Sequence, residues 1–159
     1  MRTLFALTAL VAALSAAPVL AADPAPENAA VRRTLEAAGL MGVWGVDCDA
    51  MASSLQWEQI VMGDDGWVQS VEGGDDSIAS YRITAVERLN ATDLRMTFAP
   101  VDPAVDGEGL EVVYRVEPDR QMTWSSKTQA GEVLVADGRF TDGEMGQWYQ
   151  RCPKGIPTP

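Results

Sequence analysis

Two cysteines, Cys48 and Cys152, stand near opposite ends of the segment that reads as structured. A bond between them ties the first strand to the last, as a sheet closed on itself requires. In an exported protein, two cysteines most simply form one disulfide. The loop it closes holds roughly 100 residues, worth on the order of 4–5 kcal/mol on a chain-entropy argument. The first cysteine ends the run Gly42-Val43-Trp44-Gly45-Val46-Asp47-Cys48. The rest of the chain can be read outward from this pair.

Export is itself read from the first residues. Arg2 supplies a positive start, Leu4 to Leu14 an apolar stretch, and Val19-Leu20-Ala21 the small-residue pattern before a cleaved bond. Residues 1–21 therefore read as a secretory signal peptide, cleaved after Ala21 or Ala22. A periplasmic or secreted location follows, with no membrane insertion of the mature chain. The formal charge is −11, and one unit more negative once Arg2 is removed. Such acidity repels nucleic acid and anionic lipid, which excludes nucleic acid as a partner and leaves room for a cationic protein. The mature chain suits a monomer of one domain.

Residues 22–40 read as a flexible lead-in and a short helix, 41–152 as a β domain, and 153–159 as a loose Pro-rich tail. Asn28 is placed to cap a helix from Ala29 to about Ala38, with Val31, Leu35 and Ala38 on one face and Gly39 as the stop. Beyond Met41 the pattern is alternation and turns. A strand that begins at Leu55-Gln56-Trp57 and runs to Val61 or Met62 leads into Asp64-Asp65-Gly66, a tight hairpin signal. Ile78 to Leu89 places Ala79, Tyr81, Ile83 and Ala85 on one face, interrupted by Val86. Leu94, Met96 and Phe98 alternate with polar residues, as do Leu110, Val112, Tyr114 and Val116. Met122 and Trp124 alternate with Thr123 and Ser125. Glu132 to Phe140 reads as one strand bulged at Gly138, and Gly146 to Cys152 as the last strand. The expected fold is all-β, an antiparallel up-and-down barrel of about eight strands with a short N-terminal helix, the alternative being a β-sandwich.

Chemistry is sparse. The chain has no histidine, so no Ser-His-Asp or Cys-His arrangement exists and the commonest metal ligand is missing. Gly73-Gly74 is a turn, with no Lys in the position a phosphate-binding loop needs. The acids Asp64, Asp65, Asp75, Asp76, Asp102, Asp106 and Glu108 fall in turns and read as solvated. No cofactor, metal or catalytic residue is assigned. The aromatic residues Trp57, Tyr81, Tyr114 and Trp124 are the candidates for holding a ligand, as side chains along an interior wall. They equally suit the packed interior of a small barrel. Arg82, Arg88, Arg95 and Arg115 take the outward face and read as a cross-strand charge network.

Gly42-Val43-Trp44 after a short helix resembles the opening of the lipocalin-like barrels. That resemblance implies a Gly-x-Trp at the start of the first strand, near the closed end, with an arginine of the last strand across the Trp. Trp44 with Arg151, or failing it Arg139, takes this structural role here. Trp148-Tyr149-Gln150-Arg151-Cys152, taken with the first run, resembles a loose group of small exported proteobacterial proteins. The functional expectation is a non-enzymatic binding protein for an apolar small molecule. The alternative is an envelope protein-binding factor, such as a protease or lysozyme inhibitor. An enzyme built on carboxylates needs two of them facing each other in a cleft.

Overall fold

The computed structural model describes residues 26–49, 56–74 and 77–153. The signal peptide, most of the tail and the acids Asp75 and Asp76 lie outside the described residues. Ten strands form one antiparallel sheet: β1 Gly42–Gly45, β2 Trp57–Met62, β3 Val68–Gly74, β4 Ser77–Arg88, β5 Asp93–Pro100, β6 Leu110–Val116, β7 Arg120–Thr128, β8 Val133–Ala136, β9 Arg139–Phe140 and β10 Tyr149–Arg151. Strands β1 to β7 pair in chain order. β10 then lies between β1 and β7, with Trp44 opposite Arg151 and Tyr149 opposite Gln121. These eight strands close a barrel. Closure leaves no open edge between the first and last strands, and the Cys48–Cys152 disulfide forms beside that seam.

Helix α1, Pro26–Ala37, packs across β3 and β4. It begins earlier than the capping pattern implies, because Pro26 suits the first turn, where its missing N–H costs nothing. Asn28 is not a cap. Its side chain is buried, donating to the Gly66 carbonyl and accepting from the Val68 amide, which pins the helix to the β2–β3 turn. Val31 and Leu35 face inward, and Leu40 follows them after Gly39, whose φ of +71° ends the helix. With Trp44, Ile60, Val68, Ile83 and Met96 they form the apolar core at this end. Trp44 is 1% exposed and donates from Nε1 to the Leu40 carbonyl at 2.8 Å.

Three departures from simple alternation matter. β4 shifts register between Ile83 and Ala85, so Ala85 turns outward and Val86 packs on the core. A bulge of this kind explains why Val86 broke the pattern. The β6–β7 pair shifts at Trp124, where Tyr114 pairs with Thr123 and Val113 with Ser125. Finally, residues 132–140 are not one bulged strand. Asp137 and Gly138 both take positive φ and turn β8 back into β9 as a hairpin beside β7. Gly138 is also where the hairpin comes close to β7: a Cβ there would lie 3.0 Å from Met122 Cε and 3.2 Å from the Trp124 ring. The acidic loop after β5 contains a short helix, α2 Pro103–Asp106, capped by Asp102. The outer face carries the ion pairs Arg82–Asp65, Arg95–Glu87, Arg115–Asp93 and Lys127–Glu111. The exposed pairs among these are each worth little, while Arg115–Asp93 is partly buried and bidentate.

Candidate functional site

The end opposite α1 is polar inside. On β2, Glu58 and Ile60 share the inward face, and on β3, Val68, Ser70 and Glu72 do. The register sets Glu58 directly opposite Glu72. Side chains so placed have Cβ atoms about 4.5–5.5 Å apart. Two carboxyl groups thus meet inside a barrel of low local dielectric.

Glu58 is 2% exposed and both its oxygens are engaged. Oε1 accepts from the Ser70 hydroxyl at 2.7 Å and from the Tyr114 hydroxyl at 2.9 Å. Oε2 accepts from Gln121 Nε2 at 2.8 Å. These donors favour the charged form, yet burial outweighs them and raises the Glu58 pKa. Glu72 keeps part of its surface open to the cavity but lies deep among protein atoms. Burial, then the charge of Glu58, pushes its pKa up to about 8. Among the described residues Glu72 makes no hydrogen bond or ion pair. The same burial, and then the two carboxylates, raise the Tyr114 and Tyr149 hydroxyls. Glu72 therefore keeps its proton through neutrality beside the buried Glu58.

A cavity of about 80 Å³ sits over this pair, bounded by Gln121, Thr123, Tyr149 and Gly146. It adjoins an open cleft of about 410 Å³ walled by Trp57, Ala79, Leu110, Val112 and Phe140, with Glu72, Tyr114 and Tyr149 common to both. Tyr149 donates to Gln56 Oε1 at 3.2 Å across the rim. The arrangement offers hydrogen-bond acceptors at the floor and apolar surface on the wall.

The four aromatic residues expected to hold a ligand do not converge. Tyr114 reaches the floor through its hydroxyl. Trp57 belongs to the outer face by alternation, but its indole folds over Gly73 at the rim and borders the cleft; a Cβ on Gly73 would lie 2.4 Å from the ring. It packs there with Val43 and the disulfide. Tyr81 is in the core, edge-on to Phe98 at 6.1 Å, and takes no part in the cleft wall. Trp124 is outside the barrel, because the bulge on β7 turns it out while Thr123 turns in. The Arg115 guanidinium stacks 3.5 Å from its ring centre. Arg151, opposite Trp44, lies 4.8 Å from the centre of that buried indole. Arg139 instead donates to the Gly143 carbonyl.

Glu58, Glu72, Gln121 and Tyr149 were not expected as site residues. Alternation along β2 is the signal for Glu58, whereas Glu72 reads in sequence as the start of a Glu72-Gly73-Gly74 turn; β3 instead continues through Gly74 and sets Glu72 inward opposite Glu58. Among the described residues no three His, Cys, Asp or Glu side chains gather as metal ligands. No known protein family, curated protein or solved structure matches this chain.

Proposed function

We propose that this chain is a non-enzymatic binding protein, a lipocalin-like barrel of the periplasm or of a secreted route, that takes a small molecule in the cleft opposite α1. The observation that carries this reading is the asymmetry of the barrel. One end is plugged by α1 and packed with apolar side chains, whereas the other opens into about 410 Å³ with an apolar wall and a polar floor. Ligand pockets are of this size and mixture. The disulfide fits an oxidising compartment, and no helix among the described residues is long and apolar enough to cross a membrane. A carboxylate hydrolase is the weaker reading, because both Glu58 oxygens are already engaged within the protein.

Native mass spectrometry of protein taken from its own periplasm tests the proposal. A defined additional mass that is released on unfolding is the expected result, and a bare chain at every protein concentration counts against it. A second reading, an inhibitor or other envelope factor acting on a cationic protein, draws on the exposed apolar side chains Ile78, Val133 and Phe140 on strands that border the cleft, and on the negative charge of the chain. Failure to inhibit or bind a lysozyme at low salt argues against it.

A further inference from the structure

The cavity floor holds acceptors that the described residues leave unpaired. Glu72 has no hydrogen-bond or ion-pair partner among the described residues. Gln121 is fully buried and lines the cavity; its Nε2 is committed to Glu58, and its Oε1 has no partner among the described residues. A buried acceptor left unpaired is costly, and more so when charged. Glu72 and Gln121 Oε1, both beside the buried Glu58, ask for one ligand group that is cationic and carries several N–H donors. A neutral apolar molecule would leave both acceptors unsatisfied, and a carboxylate would add negative charge beside Glu58. The wall of Trp57, Leu110, Val112 and Phe140 asks for an apolar body attached to that head.

We infer that the cleft binds an amphipathic organic cation, with a primary ammonium head between Glu72 and Gln121 Oε1, in the field of the buried Glu58, and an alkyl or aryl body along the apolar wall. This inference rests on the proposed ligand-binding role and names its ligand class. The ammonium replaces the proton that Glu72 otherwise carries, so binding releases a proton into solution. The titratable groups facing Glu72 are Glu58 from β2, Tyr114 from β6 and Tyr149 from β10, while β4 and β7 contribute the uncharged Ala79, Gln121 and Thr123. No cation of the protein reaches the pair to compete with the ligand among the described residues.

The test is calorimetric titration of the intact, oxidised protein with octylammonium, 1-octanol and octanoate. Octylammonium is expected to bind at least about tenfold more tightly than octanol, with octanoate weakest. Its affinity should rise about 50-fold between pH 6 and pH 8 as the carboxyl proton becomes easier to displace. The measured heat should also differ between buffers of different ionisation enthalpy. Glu72→Gln, checked for folding by thermal unfolding, should lose the preference for octylammonium and keep octanol binding. Equal affinities for octylammonium and octanol, or an unchanged preference in Glu72→Gln, would overturn the cation inference while leaving a ligand-binding cleft. No binding by any of the three probes would overturn both.

Discussion

Replacing Glu72 with Gln should stabilise the unliganded protein in alkaline solution and leave it nearly unchanged in acid. Burial and the neighbouring Glu58 raise the Glu72 pKa from 4.5 to about 8. The folded protein therefore holds this proton more tightly than the unfolded chain does. The stabilisation is complete below pH 4.5 and is lost as pH rises through 8. At about 1.4 kcal/mol per pH unit, the span amounts to about 4–5 kcal/mol by pH 9. Glu72 lies mostly among protein atoms, so solvent screens little of this. Gln retains the shape of the side chain and cannot ionise, and its introduction also relieves Glu58. The variant should unfold on the order of 10–20 °C higher than the parent at pH 9. At pH 5 the two should nearly coincide. Thermal and urea unfolding of both proteins at pH 5, 7 and 9 measure the difference. Asp65 and Asp93, whose carboxyls are held below the usual range by hydrogen bonds to the Trp67 amide and to Arg115 respectively, lose their contribution in acid equally in both proteins. The difference between the two therefore isolates Glu72. Parallel stability curves from pH 5 to pH 9 would refute the reasoning and place Glu72 in water.

Two further perturbations test the closure and the plugged end. Serine at both Cys48 and Cys152 should lower stability by about 4–5 kcal/mol, because the bond spans 104 residues and restricts the unfolded chain; an unchanged urea midpoint would mean that the seam holds without it. Trp44→Ala should cost about 3–5 kcal/mol, as expected for a large ring removed from a packed core, and a loss below about 1 kcal/mol in urea unfolding would contradict its burial.

Much of the architecture was legible because it rests on local signals. Alternation gave the inward faces of β5 and β6, Asp65-Gly66 gave the β2–β3 turn, and the two cysteines gave the seam. The failures have physical causes. A one-residue shift exchanges the two faces of a strand, and nothing local marks where it occurs. That is why Ala85 and Trp124 were read as facing the wrong way. Asp137-Gly138 is the same dipeptide as Asp65-Gly66, but it was read as a bulge inside a longer strand. Both residues take positive φ, and the hairpin returns at once. Asn28 looked like a cap because Asn commonly caps helices; its long-range bonds to Gly66 and Val68 cannot be seen in sequence.

The site itself illustrates a different limit. Acids were weighed where they clustered, in turns, where solvent makes them inexpensive. The two that matter stand singly at inward strand positions, and only the register of β2 against β3 brings them together. That placement runs against stability. A well-packed apolar pair at 58 and 72 would generally be as stable or more so than two buried carboxyl groups and their hydrogen-bond network. The other end of the same barrel shows that this chain can fill such space, since α1 supplies Val31, Leu35 and Leu40 against Ile60 and Ile83. A barrel that packs one end with aliphatic side chains and leaves acceptors, a raised carboxyl pair and an open cleft at the other breaks its own packing rule there. Rule-breaking of this kind concentrates where a protein binds or acts. The destabilisation expected from Glu72 above neutrality would then be offset by a bound cation, so the stability measurement and the ligand titration examine two sides of one equilibrium.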